Sequence, residues 1–125
     1  MSSVFGLATA DQLFGGGGAD SLFGQDGDDR LIGFGSDDLI YGGGGDDVAF
    51  GYSDEDKIYG GAGADTLDGG DADDVICGDE GADSLWGQRG DDLIYGGAGR
   101  DYDRGGDDDD LIFGGLGADS VWGCA

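Results

Sequence analysis

The chain has 125 residues, of which 32 are Gly and none is Pro or His, and its 29 Asp and Glu against five Lys and Arg give a formal net charge of -24. That length allows one small domain, and so much Gly argues against a packed helical bundle or sandwich, because Gly loses backbone entropy on folding and adds no side chain to a core. Collagen is excluded by the lack of Pro and of a three-residue Gly period, and nucleic acid is excluded as a partner by the scatter of the few basic residues, Arg30, Lys57, Arg89, Arg100 and Arg104.

Residues 1–5 read as a short extension. The opening MSSVFGLATA has neither a basic start nor a long apolar stretch, so it is not a secretory signal peptide. No apolar run anywhere approaches the roughly 18 residues of a membrane span. From Gly6 onward the chain divides every nine residues: GLATADQLF, GGGGADSLF, GQDGDDRLI, GFGSDDLIY, GGGGDDVAF, GYSDEDKIY, GGAGADTLD, GGDADDVIC, GDEGADSLW, GQRGDDLIY, GGAGRDYDR, GGDDDDLIF and GGLGADSVW. These 13 units cover residues 6–122 without an insertion, and residues 123–125 form a stub. Position 1 is Gly in every unit. Position 6 is Asp in every unit: Asp11, Asp20, Asp29, Asp38, Asp47, Asp56, Asp65, Asp74, Asp83, Asp92, Asp101, Asp110 and Asp119. Position 8 is apolar in 12 of 13, the exception being Asp103. High charge with modest hydrophobicity normally means disorder, but a disordered tract would not hold register so strictly.

The pattern GGxGxDxUx, with U apolar, resembles the repeats-in-toxin (RTX) or hemolysin-type calcium-binding nonapeptide, and the resemblance covers 117 of the 125 residues. It implies a right-handed parallel β-roll, an all-β solenoid with two parallel sheets. It also implies one calcium ion between successive turns on the same edge, held by the turn Asp and by turn carbonyls. Members of the family are exported by type I secretion, unfolded inside the cell and folded outside, so the resemblance implies an extracellular location. No secretion region of the usual kind is recognisable after Trp122.

The residues agree with this picture. Positions 1–6 read as a turn, with Gly supplying positive-φ conformations and close approach between turns. Positions 7–9 read as a short strand with position 8 pointing in and 7 and 9 pointing out. Two units make a coil of 18 residues, so 13 units make about 6.5 coils, a rod of about 30 Å at ~4.8 Å per coil. The expected core is Leu13, Leu31, Ala49, Leu67, Leu85 and Val121 from odd units, and Leu22, Ile40, Ile58, Ile76, Ile94 and Ile112 from even units. That core is thin. Backbone ordering costs roughly 1–2 kcal/mol per residue, while one buried Leu or Ile returns roughly 1.5–3 kcal/mol per nine residues.

The Asp column is the candidate for what holds the fold. Carboxylates stacked about 5 Å apart repel unless a cation sits between them. Carboxylate plus carbonyl oxygen suits Ca²⁺ rather than zinc or copper, and a zinc site would need more thiolates than Cys77 and Cys124 provide. Seven odd turns enclose six gaps and six even turns enclose five, so up to about eleven ions would carry nearly the charge needed to offset -24. The plainer alternative is that the Asp residues only cap turns through their own hydrogen bonds. Asp residues at position 5 (Asp28, Asp37, Asp46, Asp73, Asp91 and Asp109) read as field or solubility rather than ligands. Position 4 distinguishes the edges: after Thr9 it is Gly in every odd turn, but Gly18, Ser36, Asp54, Ala72, Gly90 and Asp108 in even turns, a departure from the family pattern.

Three further features stand out. Asp103 falls in the core column, where an unpaired carboxylate is costly. The strand can shift to put Tyr102 inside, Asp103 can pair with Arg100 or Arg104, or the coil can loosen, and local distortion is the expectation. The outer face of the even units is apolar, with Phe23, Leu39, Tyr41, Tyr59, Val75, Leu93, Tyr95, Leu111 and Phe113 forming a candidate self-association surface or simply stabilising its own sheet. On the odd face, Arg104 falls between Trp86 and Trp122, which suits cation–π contact. Repeats run nearly to both termini, so end-to-end stacking of open coils is a second route to a homo-oligomer. Cys77 and Cys124 are about three coils apart, too far for a disulfide within one rod. Ice binding is rejected, because outward positions hold one Thr (Thr66) and no Asn. The chain reads as non-catalytic, lacking His and any nucleophile–base arrangement.

Overall fold

A computed structural model describes residues 1–123, so Cys124 lies outside the described residues. The chain forms fourteen strands: β1 (Ser3–Phe5), β2 (Gln12–Gly16), β3 (Ser21–Asp26), β4 (Arg30–Phe34), β5 (Leu39–Gly44), β6 (Val48–Ser53), β7 (Lys57–Ala62), β8 (Thr66–Asp71), β9 (Val75–Glu80), β10 (Ser84–Arg89), β11 (Leu93–Gly99), β12 (Tyr102–Asp107), β13 (Leu111–Gly117) and β14 (Ser120–Trp122). Odd-numbered strands make one seven-stranded sheet and even-numbered strands the other. Every pairing is parallel, and partners are 18 residues apart, as in Ile40↔Ile58 and Leu67↔Leu85. This is a parallel β-solenoid of about seven coils, with β1 supplying a strand ahead of the first repeat. No helix of the described residues is long and apolar enough to cross a membrane.

The strands are longer than positions 7–9. Most run six residues, from position 7 of one unit through position 3 of the next, leaving only positions 4–6 as the turn. Their burial alternates, so that position 8 and the following position 1 both face inward: in β7, Ile58 and Gly60 are buried. The Gly column at position 1 is therefore an interior strand position. A Cβ on Gly51 or Gly87 would overlap the Oδ2 atom of Asp56 or Asp92. Space beside a carboxylate, rather than turn geometry, requires Gly here.

Positive φ is concentrated at positions 2 and 4. At position 2 it occurs at non-Gly residues as well, including Gln25 (φ 82), Phe34 (φ 85) and Tyr52 (φ 84). At position 4 the non-Gly even turns differ from the odd turns, whereas even-turn Gly90, at φ 124, behaves like the odd-turn glycines. Odd-turn Gly63, Gly81 and Gly99 stand at φ 138, 141 and 154, a region close to Gly-only, and a Cβ on Gly81 would overlap the carbonyl oxygen of Gly63. Even-turn Ser36, Asp54, Ala72 and Asp108 stand at φ 74 to 91, in the left-handed helical region that side chains tolerate. Gly81→Ala should accordingly lose at least about 2 kcal/mol of stability. Ala72→Gly should change it by less than about 1 kcal/mol. Urea melts in saturating calcium check both, and equal effects would count against the difference between these turns.

The core follows the expected columns, with Leu22, Leu31, Ile40, Ile58, Leu67, Ile76, Leu85 and Ile94 at 0% exposure. Ile112 only packs partly against the cluster, and Val121, in the last described strand, is 46% exposed. Two other expectations are corrected. Asp103 does not distort its strand: it keeps register between Leu85 and Val121 and stays fully buried, while Tyr102 points outward. Arg104 does fall in register between Trp86 and Trp122, but the expected cation–π contact is replaced by packing of the Tyr102 ring, with centroids 6.2 Å from Trp86 and 4.6 Å from Trp122. The cation–π contact among the described residues is Arg30 over Phe50, at 5.8 Å.

Outside, Phe5, Phe23, Tyr41 and Tyr59 stack in a continuous ladder at 5.0, 5.3 and 4.8 Å. Cys77 interrupts it, and Tyr95 resumes it with Phe113 at 5.2 Å. On the opposite sheet, Phe34 stacks on Phe14 and Tyr52. Ile32, in register between Phe14 and Phe50, is buried beneath this second cluster, although its position points outward.

Candidate metal sites

Each position-6 Asp from Asp11 to Asp101 connects two coils through its backbone. Its carbonyl accepts from the position-7 N–H of the next coil, as in Arg30 to Asp11 and Thr66 to Asp47, at 2.9 and 2.8 Å. Its own N–H donates to the Oδ1 atom of the next Asp in the column. On the odd edge the series Asp11, Asp29, Asp47, Asp65, Asp83, Asp101 and Asp119 is joined at 2.8, 2.8, 2.8, 2.8, 3.0 and 3.1 Å. On the even edge Asp20, Asp38, Asp56, Asp74, Asp92 and Asp110 are joined at 2.7, 2.8, 2.7, 2.8 and 3.1 Å. Six odd and five even bonds make eleven gaps, each spanned in the same way. The even edge thus keeps its carboxylate ladder despite the different residues at position 4.

The second carboxylate oxygen is left over. From Asp29 to Asp101, and at Asp110, Oδ2 is buried and meets no hydrogen-bond donor. An unsatisfied buried carboxylate oxygen is strongly unfavourable, so a column of them calls for a ligand. Turn capping, the plainer alternative, accounts for Oδ1 and leaves Oδ2 unexplained.

Burial and neighbouring carboxylates disfavour the ionised form. Burial is the larger cause; the bond from the adjacent Asp N–H opposes it, and the flanking Asp charges add to it. The carboxyl groups are pushed up to about 6 at Asp47 and Asp83, about 7 at Asp56, Asp65 and Asp92, and about 8 at Asp74. None of these six carboxylates has an ion-pair partner among the described residues. Among the described residues the ion pairs are the N-terminal amine with Asp20 at 3.7 Å and exposed Arg89 with Asp71 at 3.6 Å.

No three His, Cys, Asp or Glu side chains gather on one point among the described residues. Two Asp side chains border each gap, so an ion there needs main-chain oxygens as well. The donor set is carboxylate plus carbonyl, which fits a hard cation of flexible coordination such as Ca²⁺.

The position-5 residues have a role that composition alone did not reveal. Their carboxylates stay exposed but bridge turns in the reverse sense: Asp28 accepts from the Asp46 N–H at 2.9 Å, and Asp46 from the Ala64 N–H at 2.9 Å. Asp73 and Asp91 do the same toward Asp91 and Asp109, at 2.8 and 2.9 Å. The 18-residue spacing of position-5 Asp was the available signal. The apolar outer residues remain apart from these sites, on the sheet faces rather than the turn edges; Tyr41, Tyr95, Leu111 and Phe113 are exposed, while Phe23, Leu39, Tyr59, Val75 and Leu93 are half-buried.

Residues 5–33, 14–49, 32–67, 50–85, 68–103 and 104–123 each match the family described as the RTX calcium-binding nonapeptide repeat (4 copies). No curated protein matches the chain.

Proposed function

The chain belongs to the RTX calcium-binding nonapeptide-repeat family, and from that premise we propose that it is a non-catalytic extracellular module whose folding is driven by calcium bound along both Asp columns. The observation that carries this reading is the row of buried Oδ2 atoms without partners. A Ca²⁺ ion in each gap would take oxygens from the two flanking Asp carboxylates together with turn carbonyls and so give the orphaned Oδ2 atoms a partner, and up to about eleven ions would remove most of the self-repulsion. Without them, a one-residue-wide apolar column does not offset the ordering of a chain that is a quarter Gly, so binding energy becomes folding energy. Such a module stays unfolded at low intracellular calcium and folds at the 10⁻⁴–10⁻³ M range of extracellular sites.

Sedimentation velocity tests this. In chelator the chain should sediment as a slow, expanded species. Across a calcium titration to about 10 mM it should become a compact 12.6 kDa particle. An unchanged sedimentation coefficient would sink the proposal.

A second reading, calcium-triggered self-association, is favoured by one observation. The stack of Phe5, Phe23, Tyr41 and Tyr59 forms a regular apolar strip on one sheet face. In the same titration it predicts dimers or longer species that appear only with calcium and dissociate when Tyr41 is replaced by Lys.

A further inference from the structure

Asp103 is the one core-column residue that is not apolar. It is 0% exposed, and neither of its carboxylate oxygens meets a donor. Neither Arg100 nor Arg104 pairs with it among the described residues. Asp101 is 2% exposed, and its Oδ2 atom is likewise without a partner.

These orphaned atoms converge. The point where a Cβ on Gly96 would stand lies 2.8 Å from Asp103 Oδ2 and 2.9 Å from Asp101 Oδ2, and it overlaps the carbonyl oxygen of Gly114. At the corresponding point beside Gly24, Gly51 or Gly87, one Asp oxygen and one carbonyl oxygen approach, and position 8 is apolar. A second buried carboxylate is therefore added at a place where the repeat otherwise supplies one. A proton shared between Asp101 and Asp103 would bridge two oxygens at most and leave a third orphaned. A hard divalent cation takes several oxygens at once.

We propose that Asp103, Asp101 and the Gly114 carbonyl form a divalent-cation site inside the coil, outside the regular pattern of the repeat, and that it is the tightest calcium site of the chain. It deepens the calcium reading above and rests on it. Added ligand charge at a buried, preformed position raises calcium affinity, and here it is gained at a residue that otherwise only weakens the core.

Calorimetric calcium titration and native mass spectrometry of the full chain test the site, comparing the parent with Asp103→Asn and Asp103→Leu. Asn keeps the volume, and Leu restores the residue found at Leu67 and Leu85 in the same column. Both variants should lose the tightest binding step, or show it weakened by at least about tenfold, while the remaining steps persist. If the tightest step and the ion count are unchanged in both, and Asp103→Leu simply melts at a higher temperature, the site is overturned while the ladder stands. If the parent itself binds no calcium, the ladder fails and the site with it. Circular dichroism at saturating calcium confirms that each variant is folded; should Leu not fit, Asn alone decides.

Discussion

Asp65→Asn should bind about two fewer calcium ions than the parent chain, and Asp11→Asn about one fewer. Asp65 sits between Asp47 and Asp83 in the odd column and borders two gaps, whereas Asp11 begins the column and borders one. Asn is the informative replacement. Its amide oxygen can still accept the Asp47 N–H that Asp65 Oδ1 accepts at 2.8 Å, so the coil-to-coil bond survives. What is lost is the charge, and the oxygen at Oδ2 that no protein donor meets. The calcium concentration at the folding midpoint should rise by about tenfold for Asp65→Asn, because ligand charge count sets affinity in such sites. Asp46→Asn, on the exposed position-5 ladder, should leave the ion count unchanged. Native mass spectrometry counts the ions directly. If Asp65→Asn loses no more than Asp46→Asn, the ions do not sit between successive position-6 carboxylates.

Much of this architecture is legible in the residues because a nine-residue repeat leaves little freedom. Once position 6 is Asp in every unit and position 8 is apolar in all but one, two units per coil place Leu67 on Leu85 and Asp47 on Asp65, as the strand register shows. The alternation of side chains then fixes which column is core. What the repeat obscures is the role of its invariant Gly. Position 1 reads as part of a Gly-Gly turn, but it is an interior strand residue whose missing side chain makes room for the Asp carboxylate. A residue count cannot separate these roles, since both call for Gly. Positions that break the repeat are the least legible, because the repeat says nothing about them. Asp103 suggests local distortion of its coil, yet 18-residue pairing on both sides holds its register and leaves the carboxylate inside. Phe34 and Tyr52 hold positive φ at position 2, where Gly would be expected, and their rings stack on each other at 5.8 Å. The two rings meet because position 2 lies within paired strands, Phe34 of β4 in register with Tyr52 of β6, where the nine-residue pattern reads a turn.

Acid should partly replace calcium. In the folded chain without calcium, the central column carboxyls are raised to between about 6 and about 8, burial being the main cause and neighbouring Asp charges adding to it. In the unfolded chain the same groups titrate near about 3.9. The folded form therefore binds more protons between these limits, and its stability must rise as pH falls. The contribution is fully present below about pH 4 and is lost as pH rises through about 6 to 8. Physically, a proton neutralises the carboxylate that a cation would otherwise compensate. In calcium-free buffer the β-sheet circular dichroism signal should be absent at pH 8 and should grow on acidification toward pH 5, about one unit above the sequence pI of 4.1. Sedimentation at each pH separates compaction of single chains from precipitation near the pI. In calcium the dependence reverses, because protons compete for the same oxygens. The calcium midpoint at pH 6 should then lie above that at pH 8. Should the calcium-free chain stay expanded at pH 5 while calcium still folds it at pH 8, repulsion along the Asp columns is not what keeps it open. The ions would then act by cross-linking turn carbonyls into a shape the chain cannot otherwise hold.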